Sequence, residues 1–212
     1  MRRRFLSRAA AAAALALAFA QAVAATAAQP LTIGPRTIGV TTRYHLTLTG
    51  ADGRSERDLG ITLQPQRHAE VVIYGGSGFT IVHATVTPDG GFAVAPARNS
   101  APRRHGDLWP YDAIAAITAG ARAGAAVGQH WLASARIVLG SAAPVDVPVR
   151  VSVGRDAQGQ LELRAAGKQQ GIAVRMSAVF VYGAFRRGTG EVRASGGRHG
   201  GQSSEVWSVA AE

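Results

Sequence analysis

Residues 145–153 read Val-Asp-Val-Pro-Val-Arg-Val-Ser-Val, an unbroken alternation of valine with Asp146, Pro148, Arg150 and Ser152. In an extended chain successive side chains point to opposite faces, so this stretch has one all-valine face and one polar face. A helix would scatter the same valines around its circumference. The segment is therefore a half-buried strand. Pro148 cannot donate to a ladder, which places its amide side at an edge or a bulge.

The same period continues to either side. On the C-terminal side Asp156-Ala157-Gln158-Gly159 has turn composition and leads into Leu161-Glu162-Leu163-Arg164. Residues 173–182 follow as a long strand with Val174, Met176, Ala178, Phe180 and Tyr182 on one side, and 191–194 and 205–209 complete the series across a Gly-rich segment, Ser195 to Gly201. On the N-terminal side residues 131–139 are extended. Further back, Val40, Thr42, Tyr44, Leu46 and Leu48 alternate with Thr41, Arg43, His45, Thr47 and Thr49 up to the turn Gly50-Ala51-Asp52-Gly53. Strands at 59–63, 71–74, 79–86 and 92–94 follow, with turn signals at Gly75-Gly76-Ser77-Gly78 and at Thr87-Pro88-Asp89-Gly90-Gly91. The sequence thus predicts a mainly β protein. About ten strands joined by hairpins form an antiparallel meander, as an open half-barrel or a barrel-like sheet.

One helix interrupts the strands. Pro110 suits a first helical turn, Tyr111, Ile114, Ile117 and Ala121 keep helical spacing, and Gly120 and Gly124 end it, giving a mid-chain helix near 110–120. Its apolar face is narrow and Ala-rich, so it is expected to lie over a sheet edge or a barrel mouth.

The first 28 residues have a different logic. Arg2, Arg3, Arg4 and Arg8 form a positive head, and Ala9 to Ala20 run apolar without a charge. That length suits a cleavable signal peptide and falls short of the ~20 residues of a membrane-spanning helix. Small residues follow up to Ala28, before Gln29 and Pro30. Arg2-Arg3-Arg4-Phe5-Leu6-Ser7 resembles a twin-arginine export signal, and the general secretory route fits the segment equally. The expectation is a signal over 1–28, a single β-rich domain over 29–212, and a periplasmic or secreted location. No transmembrane helix is expected in the mature chain.

Composition narrows the function classes. The 212 residues include no cysteine, so neither disulfides nor thiolate metal sites are available. The chain has 23 basic and 13 acidic residues, net +10; without the four arginines of the signal, 19 basic residues remain and the net charge is +6. The arginines are spread singly along strands, as at Arg43, Arg150, Arg164 and Arg175, which reads as solvated strand faces and not as a nucleic-acid surface. Aromatic residues are only 6% of the chain, below what the aromatic girdles of an outer-membrane barrel would need.

No catalytic or metal-binding pattern is written in the chain. There is no H-E-x-x-H and no G-x-S-x-G, the glycines at 75, 76 and 78 lack a following G-K-[ST], and the six histidines share no ligand spacing. The expectation is a non-enzymatic protein with no cofactor, no metal and no catalytic residue. The densest polar cluster is Arg103, Arg104, His105, Asp107 and Trp109, an irregular loop leading into the helix; such loops carry binding groups, so these five are the candidate ligand-binding residues.

Two short stretches support a resemblance. Val127-Gly128-Gln129-His130-Trp131 opens a strand run after the helical connection, and Gly188-Thr189-Gly190-Glu191-Val192 precedes the last strand. In layout, residues 35–210 resemble exported bacterial β-rich domains of unknown function, of the lipoprotein-carrier-like half-barrel type. That resemblance implies an apolar or amphipathic ligand held in a concave sheet face with the helix from Pro110 to Gly120 as lid. It departs from the carriers in having one such helix, and it transfers no functional residue. A structural protein meeting an envelope partner through sheet edges or a basic face is the alternative.

Overall fold

The computed structural model describes residues 30–35, 37–51, 53–75, 78–86, 92–94, 109–121, 124–139, 143–195 and 202–212; the expected signal, and the loop residues Arg103, Arg104, His105 and Asp107, lie outside them. Among the described residues the chain forms eleven strands and one helix. The strands are β1 (Thr41–Gly50), β2 (Gly53–Leu63), β3 (His68–Gly75), β4 (Gly78–Val86), β5 (Phe92–Val94), β6 (His130–Ile137), β7 (Val145–Arg155), β8 (Leu161–Gln169), β9 (Ile172–Val181), β10 (Ala184–Ser195) and β11 (Gln202–Ala211). The helix, α1, is Trp109–Ala119.

All eleven strands lie in one antiparallel sheet, in the order β5-β4-β3-β2-β1-β11-β10-β9-β8-β7-β6. The sheet is an open half-barrel: β5 and β6 are its two edges and do not pair with each other. First and last strands meet in the middle, with Leu46 opposite Val209 and Leu48 opposite Trp207. The mainly β meander with one mid-chain helix is thus the architecture the alternation predicts.

Turn chemistry sets the register. Gln170-Gly171 and Tyr182-Gly183 each have positive φ at both positions, 49° and 80° in the first and 49° and 76° in the second. These two-residue connections have the backbone twist that tight hairpins require. Gly75 pairs with Gly78, so the glycine-rich stretch there is also a short hairpin. Pro148 pairs with β6 at Ser134, while the β7–β8 ladder begins only at Val149 and Gly167. The proline sits where β7 has no β8 partner and its missing amide costs nothing.

The concave face is apolar from strand to strand. Val71 and Ile73 of β3, Leu59 and Ile61 of β2, Tyr44 and Leu46 of β1, Trp207 and Val209 of β11, Val174 and Met176 of β9, Leu163 of β8 and the valines 147, 149, 151 and 153 of β7 are all buried. Several strands run longer than expected, β3, β8 and β11 among them, and two starts move furthest. β2 starts at Gly53, directly after the turn, and β10 starts at Ala184 because a bulge between Phe185 and Arg187 breaks the period that marks a strand.

The helix differs more from expectation. It is buried on nearly every side, with Trp109, Pro110, Tyr111, Ala113, Ile114, Ala115, Ile117 and Thr118 all inside. It packs against β6, the edge strand, as expected, and reaches from there across the concave face toward β8 and β11. A helix apolar all round belongs in a core, and its alanines let it lie close to the sheet. The sheet makes room with small residues. A Cβ on Gly188 would come 2.6 Å from Ile114 Cδ1, and a Cβ on Gly190 would overlap the Trp207 indole.

Gly190 is therefore a socket for a buried ring that cannot swing out. Gly190→Ala is expected to lower the unfolding free energy by about 1–3 kcal/mol, the usual cost of overpacking. Gly154→Ala, where a Cβ meets nothing within 4 Å, should stay within about 0.5 kcal/mol. Urea unfolding of the two variants side by side checks this.

Candidate functional site

Three contacts hold α1 in the sheet. Near its start Trp109 packs edge-on against Trp207 of β11, with ring centroids 5.8 Å apart. Two residues on, Tyr111 meets Tyr44 of β1 in a T-shaped pair at 5.3 Å. Toward its end the indole N–H of Trp131 donates to the carbonyl of Ile117 at 3.0 Å, satisfying one of the carbonyls a helix leaves open at its C-terminus. The Trp131 ring occupies space that a Cβ on Gly120 would claim. Of the five sequence-derived site residues, Trp109 is the described one: its ring is only 3% exposed, inside the helix–sheet core.

The aromatic contacts continue past the helix. Tyr44 lies 6.3 Å from Phe185, and Phe185 packs on Phe180 at 5.9 Å. Phe180 forms the floor of a recess of about 310 Å³ at one end of the half-barrel. Leu161 shares the floor; Ala125, Val127, Gln160 and Tyr182 form the rim. This is the mouth of the concave face, where the buried apolar surface comes nearest to solvent.

The rim is built from rigid turns. Gly128, at φ 91°, reverses the chain after the helix; its amide donates to Val153 O at 3.0 Å, and the Val153 amide donates to Gln129 O at 2.9 Å. The Ala126 amide donates to the Gln129 side-chain oxygen at 2.9 Å. The Val127-Gly128-Gln129-His130-Trp131 stretch thus has a mechanical role: a turn locked on β7, followed by the tryptophan that closes the helix end. Opposite, Asp156 Oδ1 accepts from the Gln158 and Gln160 amides at 2.9 and 2.8 Å, and Oδ2 accepts from Arg187 at 2.8 Å. Tyr182, at a hairpin tip, is 96% exposed.

Gln160 is the chemically notable residue of the rim. Its side-chain oxygen is buried and accepts no hydrogen bond among the described residues. A buried acceptor without a partner costs roughly 1–3 kcal/mol. Trp207 Nε1 is likewise buried without an acceptor beneath the helix. Such groups call for a partner, an ordered water or a ligand atom. Sequence reading located the turn at Asp156–Gly159 and the strand face of Phe180, but nothing in the residue types marked Gln160. Gln160 shares its recess with Val127 and Tyr182, which come from other turns of the chain.

Among the described residues no three His, Asp or Glu side chains come together as a metal site, and no described helix is long and apolar enough to cross a membrane. No family model, no curated protein and no solved structure matches this chain.

The tyrosine pair gives the helix attachment a pH signature. Burial raises the Tyr44 hydroxyl to about 12, against the opposing effects of hydrogen bonding from Tyr111 and from the Gly34 backbone. Tyr111 is also raised well above the usual tyrosine value, first by burial and then by Tyr44 beside it. Unfolded tyrosine ionises near 10, so the stability these hydroxyls contribute is complete below about pH 10 and is lost as the pH climbs toward about 12. Each tyrosine should contribute a slope approaching about 1.4 kcal/mol per pH unit in that window. Urea unfolding between about pH 9 and about pH 11.5 checks it, and Tyr44→Phe should make the fall shallower.

Proposed function

We propose that this is a non-enzymatic, exported envelope protein that binds an apolar or amphipathic ligand at the mouth of its half-barrel. The observation that carries the reading is the recess beside Phe180 and Leu161, with the unpartnered Gln160 oxygen buried at its rim. An apolar group entering between Val127 and Tyr182 extends the buried face of the sheet. An N–H or O–H on the same ligand supplies the donor Gln160 lacks. Its volume of about 310 Å³ suits a small ligand or one end of a larger one. The layout resemblance to lipoprotein-carrier-like half-barrels agrees with this reading, with one difference in mechanism. The helix here occupies the concavity itself, so the ligand binds beside the helix at the rim. Export rests on the charged head and the uncharged run of residues 1–28.

A second reading is favoured by one patch on the outer face. Tyr74 and Phe79 pair across β3 and β4 with rings 6.4 Å apart, Phe79 is 65% exposed, and Ile81 is exposed beside them. β5 pairs only with Ala84–Val86, so Gly78 to His83 of β4 have no strand partner on that side among the described residues. Such an edge can accept an extended segment of an envelope partner.

Native mass spectrometry of the mature protein, purified from an envelope fraction without detergent, tests the first reading. The expected result is an added mass that is lost on denaturation. Val127→Arg should abolish it while leaving the melting temperature close to wild type. Gln160→Leu should weaken a hydroxyl-bearing fatty-acid probe by about three- to tenfold, one hydrogen bond's worth, and leave an unsubstituted alkane probe unaffected. A bare mass together with no saturable probe binding would sink the ligand reading and leave the β4 edge to be tested by partner capture.

A further inference from the structure

We infer that the convex face of the sheet carries a second site, for a phosphate group, formed by Arg150, Arg164 and Arg175. The inference comes from strand register and is independent of the mouth. Arg150 of β7 stands opposite Ala166 of β8, and Ala166 stands opposite Arg175 of β9. Two guanidinium chains thus rise on either side of one methyl group, about 10 Å apart at their backbones from two strand spacings. In the next row of the same face Ser152 is opposite Arg164, and Arg164 is opposite Ser177. All three arginines are exposed. They border a recess of about 570 Å³ that also takes in Ser177, Thr189 and Val206.

The acidic groups of this face are already engaged. Glu162, largely buried, accepts from Arg164 Nε at 2.8 Å. Glu191 accepts from Arg193 Nε at 2.6 Å. That hydrogen bond, with lesser help from Arg193 and Arg175 as charges, holds the Glu191 carboxyl below its usual range. Arg150 has no hydrogen bond or ion pair among the described residues, and Arg175 has no direct one. Lys168, on the same face of β8, adds a further cation. The recess is net positive, with two guanidinium groups free to bind.

Geometry selects the ligand. A carboxylate is satisfied by one guanidinium fork, whereas a phosphate offers oxygens in several directions and suits the two free guanidinium groups, Arg150 and Arg175, that flank β8, with Arg164 held by Glu162 between them. The hydroxyls of Ser177 and Thr189, paired with each other at 3.3 Å, lie beside the same spot, while that of Ser152 donates to the Arg164 carbonyl at 3.4 Å. An extended polyanion fits poorly, because Glu162 and Glu191 stand on the same face and would repel its neighbouring charges.

Calorimetry with inorganic phosphate at low ionic strength, and co-sedimentation with phosphatidylcholine vesicles with and without phosphatidic acid, test the site. The double variant Arg150→Gln, Arg175→Gln should weaken phosphate binding by about tenfold or more, the loss expected for charge-assisted hydrogen bonds. The charge-matched control Arg43→Gln, Arg54→Gln, on β1 and β2, should bind as wild type. Phosphate binding without vesicle binding assigns a soluble phosphate. Phosphatidic-acid-dependent sedimentation that is lost in the double variant assigns a lipid headgroup. Binding of neither probe, or equal losses in the two double variants, overturns the proposal.

Discussion

A sheet that does not close on itself must bury its apolar face against something else, and here most of that task falls to one helix of eleven residues. Everything central to the fold follows from the fit of α1 into the half-barrel. Ile114 sits over Gly188, Trp109 meets Trp207, and Trp207 in turn fills the space left by Gly190. Larger residues at those glycines would lift the helix and expose the valine face of β7. The interior of a protein is packed closely enough that a single methyl group at such a point is felt.

The same requirement shapes the functional surfaces. Beside the helix, at one end of the concavity, Phe180 and Leu161 line a recess next to the turn at Val127-Gly128. Aromatic contacts run from there through Phe185 and Tyr44 to Tyr111 on the helix. The mouth and the helix therefore share one packed network. On the opposite side of the same strands, side chains excluded from the core by alternation form the arginine rows. One alternation thus produces both surfaces.

Much of this was legible in the sequence. Strict alternation in 145–153 and 40–49 fixed strands and their buried faces, and Asp156–Gly159 announced its turn through Asp156, whose side chain caps the two amides that the turn leaves open. The helix was legible in place but not in depth: Ala113, Ala115 and Ala121 look like a weak apolar stripe until the glycines that receive the helix are seen opposite. Gly188 receives Ile114 of the helix and Gly190 receives Trp207 of β11, partners that no local pattern around the two glycines reveals. The arginines illustrate the same limit. Arg150, Arg164 and Arg175 are isolated in sequence and read as solvated strand faces; two hairpin registers bring them onto one patch. The candidate loop residues Arg103, Arg104, His105 and Asp107 fall outside the described residues, while Trp109 takes its place in the core.

The strand order has a consequence for how the fold is reached. β1 to β5 form one run of hairpin neighbours and β6 to β11 another, and the two runs join along the β1–β11 pair. Within each run every ladder closes a short loop, which costs little chain entropy. The β1–β11 seam closes the longest loop among the ladders and cannot form until β11 has been made. A chain emerging residue by residue therefore holds β1 as an unpaired edge for most of its assembly. The charged and hydroxyl side chains on the outer face of β1, Thr41, Arg43, His45, Thr47 and Thr49, are the kind of residues that keep a waiting edge from pairing with a neighbouring chain.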